Sequence, residues 1–106
     1  MNEKKPLEWI RMQLYPLPHL ENKLDVIVVF WNPETGEMRG EGAQIVKSLV
    51  DSYAEKGAIT TSKGEIIQLD DPYRNTAALS AILSQQYWIS PQPVEAPEDP
   101  NAKNLQ

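Results

Sequence analysis

The chain contains no cysteine, and its 106 residues include a single histidine. The lack of cysteine excludes disulfides, thiolate catalysis and every metal site built on cysteine ligands. A protein without disulfides is expected to work in a reducing compartment, the cytoplasm. His19 follows two prolines in a predicted loop and has no nucleophile-elbow serine nearby. Neither a hydrolytic triad nor a two-histidine metal site is therefore expected.

Long apolar runs are also missing. The longest, Val26 to Trp31, is far shorter than the roughly 20 residues of a membrane-spanning helix. The N-terminal stretch has charges on both sides of its few apolar residues, which is unlike a signal peptide. The net charge of −5 repels phosphate backbones, and the ten Lys and Arg residues are scattered. Neither a membrane nor a nucleic acid is expected as a partner.

Two short patterns were weighed as chemical sites. Asp70 and Asp71 carry neighbouring carboxylates, but adjacent strand residues point to opposite faces, and helix capping explains Asp71 without a metal. The Gly40-Glu41-Gly42 sequence lacks the full phosphate-binding fingerprint and places a carboxylate where an anion would bind. No catalytic, cofactor-binding or metal-ligating residue is assigned, and no cofactor is expected.

The first half of the chain predicts helix, strand, strand and helix. Proline in a first turn and a helical apolar spacing favour a short helix over residues 6–14. The β-branched and aromatic run from Leu24 to Trp31 predicts a central strand, and the turn sequence after it predicts a hairpin with Glu37 to Gly40. An amphipathic pattern predicts a helix from about Glu41 to Gly57.

The second half repeats this order. Residues 58–61 and 65–69 read as a hairpin, and a last helix is predicted to run to about Trp88, starting at either Asp71 or Asn75. The expected fold class is thus α+β: an antiparallel sheet of about four strands in two hairpins, with two or three helices on one face and a tandem ββα order.

The composition changes at Ser90. Residues 90–106 contain four prolines and little apolar side chain, so they are expected to form a disordered, proline-rich acidic tail behind a single domain at residues 1–89.

The region from Asn75 to Val94 contains no charged residue, although charged residues make up 24% of the chain. A helix there has no charged face for solvent, so it belongs either to the core or to a contact with another chain. Small residues at helical spacing, followed by aromatic residues, make it a candidate interface for a twofold dimer. The candidate interface residues are Ala77, Ala81, Ser84, Gln85, Tyr87 and Trp88.

These patterns predict a small, non-enzymatic interaction or regulatory module that binds another protein or itself. The chain has an uncharged region suited to packing against a partner, and its sequence contains no recognisable set of catalytic residues. Two alternatives stay open. One is a small-ligand-binding protein or enzyme subunit whose site a partner completes, and the other is an acidic mimic of nucleic acid.

Overall fold

A computed structural model describes residues 8–17 and 25–97 of the chain. These residues form a four-stranded antiparallel sheet, a separate two-stranded sheet and two α-helices. The predicted α+β class is confirmed. Neither helix of the described part is long and apolar enough to cross a membrane.

The elements follow one another as strands β1 to β6 with helices α1 and α2 between them. Their bounds are β1 Trp9–Pro16, β2 Ile27–Trp31, β3 Met38–Arg39, α1 Ala43–Ala54, β4 Ala58–Thr60, β5 Ile66–Gln68, a 3₁₀ helix Pro72–Arg74, α2 Thr76–Leu83 and β6 Tyr87–Val94. The large sheet has the strand order β3-β2-β1-β6, and β4 pairs with β5 in the small one.

The predicted leading helix is wrong where it can be compared, because Trp9–Pro16 is a strand at the centre of the sheet. Its inward side chains alternate, and Met12 and Leu14 are both buried. Trp9 is buried on the opposite face of the strand. Because both faces of this strand carry apolar residues, their spacing in the sequence resembles the apolar spacing of a helix. Residues 6 and 7 of that prediction lie outside the described residues.

The last helix ends earlier than predicted. Helix α2 stops at Leu83, and residues 87–94 form β6 instead of a helix end and a tail. The expected tail from residue 90 is therefore corrected over Ser90 to Val94, which pair with β1. Prolines are tolerated here because β6 is an edge strand. Residues 98–106 of the predicted tail lie outside the described residues.

The tandem arrangement of the two hairpins is also corrected. The hairpin of β2 and β3 and the hairpin of β4 and β5 both form, but they lie in different sheets. Strand β2 uses its second edge to pair with β1, which leaves no place for β4 beside it. The four-stranded sheet is completed by β1 and β6, the two segments that were not predicted as strands.

The core lies between one face of the large sheet and the two helices. Helix α1 contributes Val46 and Val50, which are fully buried, and α2 contributes Leu79, Ile82 and Leu83. Asn75 caps α2, since its side-chain oxygen accepts a hydrogen bond from the Ala78 N–H at 3.2 Å. The start at Asn75 is thus the correct one of the two predicted starts.

The segment between β5 and α2 is attached to both layers through Tyr73. Its carbonyl accepts a 2.6 Å hydrogen bond from the Trp31 indole N–H, and its hydroxyl donates to Asp51 at 2.7 Å and also contacts the Lys47 carbonyl. Burial and the neighbouring Asp51 carboxylate raise the pKa of the Tyr73 phenol above its usual value. The phenol therefore stays a hydrogen-bond donor at neutral pH.

Candidate interaction surface

The described residues contain no cluster of three or more His, Cys, Asp or Glu side chains suited to a metal ion. Asp71 has a left-handed backbone and a long 3.8 Å contact with Arg74, on an exposed part of the 3₁₀ helix. Gly42 begins α1 where a Cβ atom would lie only 2.0 Å from Ile27. The missing side chain of Gly42 lets the start of α1 pack closely on β2. This packing accounts for a glycine at the end of the Gly40-Glu41-Gly42 sequence without a bound phosphate. His19 lies outside the described residues.

The structure brings four of the predicted interface residues together. Ala77, Ala81, Ser84 and Gln85 line one wall of a groove of about 710 Å³ between α2 and the β4–β5 hairpin, which we call the helix groove. Its other lining residues are Thr60, Thr61, Ser62, Ile67 and Ser80. Among the described residues, every lining side chain is small, hydroxylated, amide or aliphatic, and none carries a charge.

The polar groups of the helix groove are partly engaged already. The Ser84 hydroxyl donates to the Ser80 carbonyl at 2.6 Å, and the Gln85 amide donates to the Ala81 carbonyl at 3.3 Å. Ala81 itself is only 9% exposed and belongs to the core. Packing within this chain thus accounts for Ala81, whereas Ala77, Ser84 and Gln85 are exposed.

The other two predicted interface residues lie on β6 and point in opposite directions. Tyr87 packs partly buried against the core, whereas Trp88 is 57% exposed on the outer face of the large sheet. Trp88 pairs with Tyr15 of β1, and their ring centroids are 5.5 Å apart with the rings tilted by 55°. Such tilted aromatic pairs are favourable in themselves. Trp88 therefore belongs to a surface different from the helix groove.

We call this second surface the outer face, and it consists of the outward side chains of the four large-sheet strands. The outward side chains follow from the alternation along each strand, and the pairing register shows which of them lie side by side in rows across the sheet. From one end to the other, the rows are Trp9 with Val94, then Arg39, Phe30, Arg11 and Gln92, then Val28, Gln13 and Ser90, and finally Tyr15 with Trp88. Both helices pack on the other face of the sheet.

The charge of the outer face differs from that of the whole chain. None of its outward strand positions carries Asp or Glu, although the chain has a net charge of −5. Arg39 is engaged, since its guanidinium donates to Glu37 at 2.7 Å. Arg11 makes no ion pair with any residue in the described ranges and sits between Phe30 and Gln92. The outward strand positions of the outer face therefore combine aromatic rings with two arginines, of which Arg39 is paired with Glu37.

One end of the outer face is covered by the chain itself. The Arg39 guanidinium carbon lies 4.7 Å from the centroid of the Trp9 ring, and Arg39 also donates to the Pro97 carbonyl at 3.1 Å. Residues 95–97 therefore reach the cation–π pair formed by Trp9 and Arg39. Trp9 is only 5% exposed, in contrast to Trp88 at the far end.

A shallow hollow interrupts the outer face above β2. It has a volume of about 360 Å³ and is lined by Val28, Phe30, Gly40 and Glu41. Val28 and Phe30 contribute two apolar side chains, and Glu41 is the one charged residue among the described residues that line it. Because Phe30 is paired with Arg11 in the sheet, the hollow and the Arg11 side chain are neighbours on adjacent strands.

The free edge of β6 is blocked over half its length. The Leu17 N–H bonds to the Gln86 carbonyl, which makes residues 86, 88, 90, 92 and 94 the ones that bond to β1. The alternate positions face the open edge, and Pro91 and Pro93 occupy two of them. Since proline has no N–H, this half of the edge cannot pair with an added strand.

Sequence reasoning found Trp88 but not the surface around it. Arg11 falls in the predicted leading helix and Phe30 in the predicted central strand, so no sequence pattern places these two residues and Tyr15 on one face. The available signal was the alternation in Trp9–Pro16, where Ile10, Met12 and Leu14 share one side. The same residues also show an apolar spacing typical of a helix, so the sequence alone does not decide between a strand and a helix.

Comparison with known proteins gives no family for this chain. No protein-family model, curated protein or solved structure matches it.

Proposed function

We propose that this protein is a non-enzymatic interaction module that binds a segment of another protein on its outer face. The observation that carries the proposal is the sheet surface opposite the helices, whose outward strand positions carry aromatic rings and two arginines and no carboxylate, with Trp88 exposed at one end. Protein interfaces are enriched in Trp, Tyr, Phe and Arg and depleted in Asp and Glu at their centres. The missing cysteines favour the cytoplasm as the compartment.

The rest of the described surface supports binding over catalysis. None of the described residues that line the helix groove has a titratable side chain that could act as a general acid or base. Tyr73, whose pKa is raised, is held by Asp51 and the Lys47 carbonyl and contacts neither surface. Trp88, by contrast, presents a large side chain to solvent beside a second aromatic ring. Large aromatic side chains of this kind contribute most of the free energy of binding at many protein interfaces.

The test is a selection from a random dodecapeptide display library on the immobilised full chain. Bound peptides are then compared on the wild type, on Trp88→Ser and on Ser80→Arg, which places a charge at the helix groove as a matched control. We expect enriched peptides to lose about tenfold in affinity on Trp88→Ser, which corresponds to ~1.4 kcal/mol, and to keep it on Ser80→Arg. Two-dimensional NMR spectra confirm that both variants are folded.

Three results would reject the proposal. Enriched peptides that depend on Ser80 and not on Trp88 would move the binding site to the helix groove. A wild-type dimer in analytical ultracentrifugation that Trp88→Ser dissociates would make a second copy the occupant, as the homodimer hypothesis holds. Binding of a thymidine oligonucleotide, lost in Trp88→Ser, would make the outer face a base-stacking platform for single-stranded nucleic acid.

A further inference from the structure

We infer that the partner segment on the outer face is an acidic, proline-containing peptide that lies across the strands. This inference rests on the proposed function and gives the partner its chemistry. It is argued from the contact that the chain already makes at one end of the face, from the charges there, and from the blocked edge.

The chain provides an example of such an occupant. Glu95, Ala96 and Pro97 follow β6 without joining a strand, and the Pro97 carbonyl accepts a hydrogen bond from Arg39 while Arg39 covers Trp9. An irregular segment thus already contacts the Trp9 end of the outer face through the backbone carbonyl of its proline. The Trp88 end carries the Tyr15 and Trp88 ring pair and is open, and Arg11 lies two cross-strand rows away from it on the same face.

The charges of Glu41 and Arg11 determine where apolar and acidic side chains of the partner can bind on the outer face. Glu41 at the rim of the hollow repels a carboxylate, so an aliphatic or proline side chain fits between Val28 and Phe30. Arg11 lies one strand away from Phe30, about 5 Å by sheet geometry, and has no acidic partner among the described residues. A carboxylate next to the apolar residue of the partner would therefore meet Arg11.

The prolines at the free edge of β6 disfavour a partner that binds as an added strand of the sheet. An added strand needs outward N–H donors along the edge, and Pro91 and Pro93 remove them from half of β6. A polyproline-type segment needs no such ladder, because its backbone has no regular hydrogen-bonding pattern and its rings pack on aromatic side chains. The tilted Tyr15 and Trp88 pair offers that packing surface at the open end.

The experiment is an NMR titration of the isotope-labelled full chain with three synthetic peptides. The first, acetyl-VEAPEDP-amide, copies the chain's own sequence from residue 94 to residue 100. The second replaces its acidic residues by lysine, and the third replaces its prolines by alanine. We expect the first peptide to shift the indole signal of Trp88 and the Nε–H signal of Arg11, and to bind about tenfold more tightly than the lysine peptide.

Variants separate the charge from the aromatic contact. Arg11→Gln should weaken the acidic peptide about threefold and leave the lysine peptide unaffected, as expected for an exposed ion pair. Equal binding of the acidic and lysine peptides, or shifts confined to the helix groove, would overturn the inference. So would Trp88-dependent peptides from the display library that lack both proline and acidic residues. That last result leaves the proposed function standing, whereas a library without Trp88-dependent binders removes both.

Discussion

The indole N–H of Trp31 and the backbone carbonyl of Tyr73 are joined by a 2.6 Å hydrogen bond. Trp31 is 2% exposed and lies in β2, while Tyr73 belongs to the 3₁₀ helix that precedes α2. The bond is therefore a direct connection between the large sheet and the segment that leads into the second helix.

Trp31→Phe should lower the free energy of unfolding by about 2 to 4 kcal/mol, because it removes the donor to a buried carbonyl and reduces the packed volume. Trp88→Phe is the matched control, since the same change at a half-exposed indole should stay within about 0.5 kcal/mol. Urea denaturation followed by circular dichroism measures both. Equal losses for the two variants would mean that the bond to Tyr73 contributes little.

Tyr73→Phe should change the pH dependence of stability as well as its value. The folded state raises the pKa of this phenol, so the unfolded chain releases the proton first, above about pH 10. The stabilisation is therefore full below that pH and is lost as the pH rises towards the folded pKa. The difference in free energy of unfolding between wild type and Tyr73→Phe should be constant up to about pH 10 and shrink at higher pH. Tyr15→Phe, whose ring lies on the outer face, is the control, and a constant difference would contradict the prediction.

Gly42→Ala should destabilise the protein by about 1 to 3 kcal/mol, because the added methyl group would overlap Ile27 and approach the Val28 carbonyl at 3.0 Å. Gly42 has a φ of −85°, so steric overlap alone is tested and not backbone strain. Gln44→Ala, on the exposed side of α1, should be nearly neutral. Thermal unfolding measures both variants, and an unchanged midpoint for Gly42→Ala would show that α1 can move away from β2.

Ala81→Glu should unfold the chain or destabilise it by about 3 kcal/mol or more, because Ala81 is buried in the core and the carboxylate would have no partner there. The dimer hypothesis expects this variant to dissociate a folded dimer instead. Ser80→Glu, one residue earlier and exposed, should fold normally. Sedimentation velocity and circular dichroism together decide, and a folded, monomeric Ala81→Glu beside a dimeric wild type would favour the dimer.

Local patterns in the sequence predicted the elements whose signals are local. Strand β2, helix α1 and the β4–β5 hairpin each follow from the residues within them, with ends shifted by a few positions. The Asn75 cap was also among the predicted starts. These elements need no information about what they pack against.

The missed elements depend on distant partners. Strand β1 is buried on one face by the core and on the other by Arg39 at Trp9, so its alternation is hidden. Strand β6 contains two prolines, which usually argue against a strand, and only its pairing with β1 shows that they face a free edge. The outer face could not be predicted, since it exists only once β1 stands between β2 and β6.

The pairing of β1 with β6 also bears on how the chain folds during synthesis. Strand β1 is made first but lies in the middle of the large sheet, and one of its neighbours is the last strand of the described range. Until β6 has emerged from the ribosome, β1 has one unpaired edge, and Leu14 lacks its cross-strand neighbour Ile89. Long-range contacts of this kind slow folding and leave intermediates open to association. The nascent chain is thus expected to need its C-terminal strand before its core becomes resistant to proteases.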